Sequence, residues 1–333
     1  YQHKHARIIE YSRTQGDFAM SFANTIPYSE VNFMLEIDSA GLNLPFLGAA
    51  HELAHQWWGH QVIPADVAGI RMITESMAEY ISLKVLEHKY GKDKANEFLE
   101  KALDIYLDKR KDNSEYEEPL MFNTGLRKKY IPYQKGSIVF NAMSEYIGEE
   151  RFNAALKSYL EKVKYQNAPY TTSPEMVDFI KQATPDSLKY LIKDMFETVT
   201  FYDNKILKAE TKELSNGKYQ IDLEFIISKY RINETNSEVF SDNLGKTLKY
   251  TSEELPEPVI SLPMNDYIEI TIYGENKNGT IDEILFSDKI KIKDIQNKLT
   301  LEVGNKPVEA GIDPGINLID IKPDDNRKLI NFK

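Results

Sequence analysis

The sequence predicts an α+β protein: a mostly helical domain over residues 1–204, then an all-β sandwich over 205–333 that ends in an irregular tail. Three observations predict it. Apolar residues recur at helical spacing before residue 204 and at every second position after it. Asn216-Gly217 and Asn278-Gly279, dipeptides suited to tight hairpin turns, separate alternating runs in the second part. With 333 residues, 41% hydrophobic and 28% charged, the chain has material for two soluble cores.

In chain order, Val31, Phe33, Leu35 and Ile37 alternate with Asn32, Met34, Glu36 and Asp38, a strand pattern. LPFLGAAHELAHQWWGHQ (44–61) reads as a helix, weakened only at Gly48 and Gly59. RMITESMAEYISLKV (71–85) reads as a second helix. In NEFLEKALDIYLDK, Phe98, Leu99, Leu103, Tyr106 and Leu107 form one helical stripe. GSIVFNAMSEYIGEERFNAALKSYLEKV (136–163) predicts two successive helices, and SPEMVDFIKQA a third, with Ser173 as cap and Pro174 at the first helical position. Beyond residue 204, Tyr219, Ile221, Leu223, Phe225 and Ile227 alternate with polar residues, as do Ile268, Ile270 and Ile272. Short strands at this spacing predict a sandwich of about seven strands.

Composition narrows the function. A net charge of −11, from 52 acidic and 41 basic residues, argues against nucleic acid as a partner, because phosphate binding needs a basic surface. No cysteine is present, so any metal must be held by His and carboxylates. No apolar run approaches the ~20 residues of a membrane span. The chain begins at Tyr1 rather than Met and reads as part of something longer, so the absence of a targeting segment does not place the parent protein.

The chemistry concentrates in GAAHELAHQWWGHQ. His51 and His55, four apart on a helix, share a face and can aim both imidazoles at one point. Glu52 lies about 100° round the axis, placed to reach a metal-bound water without being a ligand. This is the H-E-x-x-H arrangement of a zinc metallopeptidase, and a catalytic zinc needs a third protein ligand. Glu75, in the next predicted helix, supplies it, and Glu79, one turn on, can accept the outer N–H of a ligating His. His60 is off the metal face, His3, His5 and His88 read as surface residues, and Trp57 and Trp58 read as packing. Asn233-Glu234-Thr235 and Asn278-Gly279-Thr280 are glycosylation sequons only in a secreted eukaryotic protein.

HELAHQWWG, the Glu75 helix and PYQKGSIVFNAM together resemble the aminopeptidase N-like gluzincins, zinc metallopeptidases with a thermolysin-like catalytic domain. Members carry H-E-x-x-H, a zinc-binding Glu within N-E-G-x-x-x-Y and a later Y-x-K-G. The resemblance covers roughly residues 20–200. It implies one zinc per chain held by His51, His55 and Glu75, with Glu52 as general base and Tyr133 as donor to the oxyanion. It also implies a peptide substrate whose free amine is held by Glu30, and an extended substrate pairing with the strand at 31–37.

Three departures stand out. Nineteen residues (56 to 74) separate His55 from Glu75 where the family has eighteen, an extra residue expected in the loop. The family's G-A-M-E-N segment is replaced by SFANTIPYSEVNFM, which leaves Glu30 at the comparable place without its usual context. The flanking domains of the family are not seen. The chain is similar to a bacterial subset in which the peptidase domain continues from a transporter-permease region, implying attachment of the parent protein to a membrane, with the domain on the extracytoplasmic side. Two other functions stay open: an endopeptidase with a cleft open at both ends, and an inert zinc-stabilised binding module.

Overall fold

The computed structural model describes residues 1–33, 41–111, 117–124, 128–232 and 259–333. They form two compact units, Tyr1–Val199 and Thr200–Lys333. The first strand of the second unit begins with Thr200, Phe201 and Tyr202 buried in succession rather than in alternation.

The first unit opens with β1 (Arg7–Tyr11) and β2 (Thr25–Ser29), paired in parallel. Its helices are α1 (Glu30–Phe33), α2 (Leu44–Ala54), α3 (Met77–Tyr90), α4 (Lys92–Lys111), α5 (Gly136–Ile147), α6 (Glu149–Val163), α7 (Ser173–Ala183) and α8 (Tyr190–Ile192). Every residue of α5 except Glu145 is buried, which explains why its sequence is apolar all round. Gly148, at φ +94°, turns the chain from α5 into α6. The fully buried Gln56 side chain binds Ser21 Oγ (2.7 Å), the Phe22 carbonyl (2.8 Å) and the Asn24 N–H (2.9 Å), tying the approach to β2 to the end of α2.

Two expectations need correction here. Residues 30–33 are helical, not the start of a strand; Ser29 Oγ accepts the Val31 N–H (3.4 Å) and starts a helical turn. The rest of the strand expected at 31–37 lies outside the described residues. Thr172, not Ser173, occupies the cap position of α7, and Ser173 Oγ donates to the Met121 carbonyl (2.6 Å).

Two π-helical turns matter for the site. One, Met72–Ser76, leads into α3, and the other, Ile131–Lys135, leads into α5. A π-turn closes i→i+5 and holds one residue more than an α-turn, so the helix itself can take up an extra residue. The two turns touch. Ser76 Oγ donates to the Pro132 carbonyl at 2.6 Å, and a Cβ at Gly136 would stand 2.2 Å from that hydroxyl. Gly136 is therefore required by close approach. Gly136→Ala is expected to cost about 1–3 kcal/mol by overpacking and to lower turnover, checked by thermal melting and kcat/KM; wild-type values for both would show that the turns part freely.

Lys135 anchors the second turn from inside. Its Nζ is 2.7 Å from Glu117 Oε1, while Arg110 Nε and the Tyr106 hydroxyl donate to the same carboxylate at 2.9 and 2.8 Å. All four side chains are buried. Burial acts to raise the Glu117 pKa, but Lys135 and Arg110 overcome it and hold the carboxyl below its ordinary value.

The second unit is built from two sheets. One has five strands: β3 (Thr200–Glu213), β4 (Tyr219–Ile232), β5 (Val259–Leu262), β8 (Gln296–Val303) and β11 (Asn331–Phe332). β4 pairs β3 along one edge and shares its other edge between β8 and β5. The other sheet runs β10 (Arg327–Leu329), β9 (Pro307–Ile312), β6 (Asp266–Glu275), β7 (Ile281–Ile292). Ile221, Leu223, Phe225 and Ile227 of β4 and Ile268, Ile270 and Ile272 of β6 are buried, as the alternation predicts. Gly217 (φ +78°) and Gly279 (φ +81°) form the two expected turns. The C-terminal segment supplies β9, β10 and β11, and residues 313–326 between the first two lie outside the named strands. Among the described residues, no helix is long and apolar enough to cross a membrane. The sequon at Asn233 lies outside them.

Candidate active site

Asn43 caps α2 by accepting the Phe46 N–H (3.0 Å), with Pro45 in the first turn. The helix carries His51 and Glu52 in its last turn and ends at Ala54, short of the expected Gln61. His55 keeps helical angles (φ −60°, ψ −17°) and its N–H still reaches the His51 carbonyl (3.3 Å), so the two imidazoles retain the spacing of one face. Gly59, at φ +136°, then redirects the chain. The early end has a use: the Trp58 carbonyl turns back to His55 Nδ1 at 3.0 Å. An uninterrupted helix would point that carbonyl away.

His51 Nε2 and His55 Nε2 stand 3.1 Å apart, and Glu75 Oε2 lies 3.4 Å from the first and 3.5 Å from the second. On the outer side of the rings, His55 Nδ1 faces the Trp58 carbonyl and His51 Nδ1 faces Glu79 Oε1 at 3.0 Å, the latter off the line of a straight hydrogen bond. These acceptors favour the tautomer with hydrogen on Nδ1, which leaves both Nε2 lone pairs facing each other and a carboxylate oxygen. Such a group draws a cation into its midst, a proton or a metal ion. Ligands about 2.0–2.2 Å from a tetrahedral zinc stand about 3.3–3.6 Å from one another, close to the spacings found. The donor set therefore fits zinc. Among the described residues this is the group of His and acidic side chains able to hold a metal ion.

The local field agrees. Burial would lower the His51 pKa, but hydrogen bonds and charge from Glu75 and Glu79 push it up to about 10. Burial would raise Glu75, and the imidazoles instead hold its carboxyl well below the usual range. Glu52 is raised, by burial first and by the neighbouring carboxylates, with the histidines acting against them. A raised carboxylate is better matched to taking and returning a proton near neutral pH.

Tyr133 lies in the second π-turn and is half-buried. Its ring stacks on His51 (5.8 Å, 7° between planes), and its hydroxyl is in hydrogen-bonding reach of Glu75. Burial and the Glu75 charge push the phenol above its ordinary value, so it remains a protonated donor. Tyr130, three residues before Tyr133, is buried against Tyr106 (5.8 Å).

A cavity of about 340 Å³ opens beside the cluster, with Leu42, Leu47, Phe98 and Ile105 as apolar wall and Glu52 and Tyr133 at its chemical end. Glu30 does not line it. Its carboxylate accepts the Arg13 N–H (2.9 Å), with the Arg13 guanidinium 4.0 Å away. His60 Nε2 pairs with the Ser21 carbonyl (3.1 Å), Trp58 is buried against Tyr159, and His88 is exposed. Sequence reasoning missed Tyr28. It is buried on β2, its hydroxyl contacts the Pro45 carbonyl (3.2 Å), and its pKa is raised by burial and by Glu52 nearby. A lone Tyr in a short strand carries no signal that could have found it.

A family model described as the peptidase family M1 domain matches residues 19–198. The chain is 28% identical to endoplasmic reticulum aminopeptidase 2 of Homo sapiens over 123 residues, 36% of this chain and 13% of that one. It is 26% identical to the alanine/arginine aminopeptidase of Saccharomyces cerevisiae over 216 residues, 60% and 24% of the two chains. Against aminopeptidase N of Lactococcus lactis subsp. lactis it is 28% identical over 182 residues, 50% and 21%. The matches span less than a quarter of the length of these relatives.

Proposed function

The chain belongs to peptidase family M1, and from that premise we propose that it is a zinc-dependent aminopeptidase, removing residues from the free N-termini of peptides. The observation that carries this reading is the triangle of His51 Nε2, His55 Nε2 and Glu75 Oε2, with edges of 3.1, 3.4 and 3.5 Å. His51, His55 and Glu75 would hold one zinc, and Glu79 would orient His51. Bound there, the ion supplies Lewis-acid polarisation of a carbonyl and a more acidic water. Glu52 takes a proton from the attacking water and returns it to the leaving amine. Tyr133 donates to the oxygen on which negative charge develops. The catalytic domain is proposed to be residues 1–204 and the β-sandwich 205–333.

The test is hydrolysis, by the zinc-loaded protein, of paired peptides with free and acetylated N-termini. Preference for the free amine supports the proposal. Equal cleavage of both supports an endopeptidase, a reading favoured by the engagement of Glu30 with Arg13 outside the cavity. Full zinc with no turnover of any peptide would leave the binding module. If Glu30 does hold the ammonium, Glu30→Ala is expected to weaken free-amine substrates by about 1.5–3 kcal/mol and acetylated ones far less, read as the ratio of their kcat/KM values. An equal loss on both would assign Glu30 to structure.

Glu75→Ala is expected to strip the protein of stoichiometric zinc, because two imidazoles alone hold a labile ion. Elemental analysis after dialysis against a weak chelator measures it, and wild-type retention would transfer the third ligand elsewhere. The resemblance also supports attachment of the parent protein to a membrane through a permease-like region, with the peptidase domain extracytoplasmic. Fractionation of the parent protein tests this, and recovery in the soluble fraction would refute it.

A further inference from the structure

The run from Arg71 to Glu79 sorts into two faces. Met72, Ile73, Ser76, Met77 and Ala78 are buried, whereas Arg71, Thr74, Glu75 and Glu79 are partly open. Arg71, Glu75 and Glu79 stand four residues apart in turn, a single file along a helix. Glu75 and Glu79 are the carboxylates that meet His51. The same file, followed one step toward the N-terminus, ends in a guanidinium.

Arg71 is half-buried as a residue, and among the described residues no ion pair or side-chain hydrogen bond engages its guanidinium. Glu75, four residues on, is turned to the two imidazoles instead. Burial and Glu75 raise the Tyr133 pKa while Arg71 acts against them, in keeping with its place four residues before Glu75. The N–H donors of Arg71 are therefore not committed to a protein acceptor among the described residues. A guanidinium presents N–H donors in a planar fork that matches a carboxylate at both oxygens. A peptide can bring that group in two ways, as an Asp or Glu side chain or as its own C-terminus.

We propose that Arg71 is a specificity residue that receives a carboxylate of the substrate, belonging to a residue near the bond that is cut. The proposal rests on the peptidase reading of the site. It places the anion beyond Glu75 along the same helix, apart from the apolar cavity, which Arg71 does not line.

The test uses peptides that differ only in charge. One arm compares Glu with Gln at the residues flanking the scissile bond, and the other compares a free with an amidated C-terminus. The zinc-loaded wild type is expected to favour the carboxylate member of one arm by on the order of 10- to 100-fold in kcat/KM, and the arm that responds identifies the source. Arg71→Gln is expected to bring that ratio close to one. Arg71→Lys is expected to keep part of it, since an ammonium retains the charge and loses the fork. A wild-type ratio near one in both arms, or a ratio that survives Arg71→Gln, would overturn the proposal.

Equilibrium binding separates this result from the peptidase reading. The same peptides are titrated calorimetrically into zinc-loaded Glu52→Gln protein, with and without Arg71→Gln. If no peptide is cleaved by the wild type, the peptidase reading fails, and the Kd ratios alone decide the role of Arg71. Equal Kd values for the carboxylate and amide members would end it.

Discussion

Tyr133→Phe is expected to lower kcat and kcat/KM together by about 10²–10³-fold, the usual loss on removing one oxyanion donor. The change deletes one hydroxyl and keeps the ring that stacks on His51. Zinc content and melting temperature should therefore stay close to wild type. Because Tyr133 remains protonated under its burial and the Glu75 charge, its hydroxyl keeps a proton to donate in a hydrogen bond. That bond strengthens only as charge develops on the carbonyl oxygen, so KM should change little. Tyr130→Phe is the internal control. Its ring is buried against Tyr106, so its loss should affect stability more than rate. If Tyr130→Phe were the crippling change and Tyr133→Phe mild, the oxyanion role would pass to Tyr130.

Glu52→Gln should keep zinc and lose at least about 10²-fold in kcat, the lower end of a general-base contribution. Glutamine fills the same volume at a position that is 9% exposed, so packing gives no reason for collapse. His51, His55 and Glu75 are untouched, and metal content separates lost chemistry from a lost site. A variant with nearly normal kcat would mean that another group accepts the proton.

Local geometry explains which parts of this site are legible in the sequence. His51, His55 and Glu52 are fixed by their spacing on one helical turn, and no tertiary contact is needed to predict their faces. Glu79 follows from Glu75 by the same rule. The hairpin turns at Gly217 and Gly279 are equally local. The strand expected at 31–37 misleads because two or three alternating residues also suit a helical turn, and Ser29 Oγ decides for the turn. The π-turns are illegible for a different reason. They go with the contact of Ser76 with Pro132 and Gly136, between segments far apart in the chain. Arg71 is a lone cation in an apolar stretch, and only the fold shows what it stands beside.

The π-turn at Met72–Ser76 also sets how this protein can change over generations. Loss of a single codon within it would restore α winding and leave the side chains on either side close to their present phase, because the wide turn already absorbs the extra residue. Glu75 and Glu79 would keep their place on α3, and Arg71 would stay on their side of the helix. The distance in sequence between His55 and Glu75 can thus grow or shrink by one without disturbing what the helix presents. Spacing at this point is a poor measure of kinship, and an alignment that penalises it would set related chains too far apart.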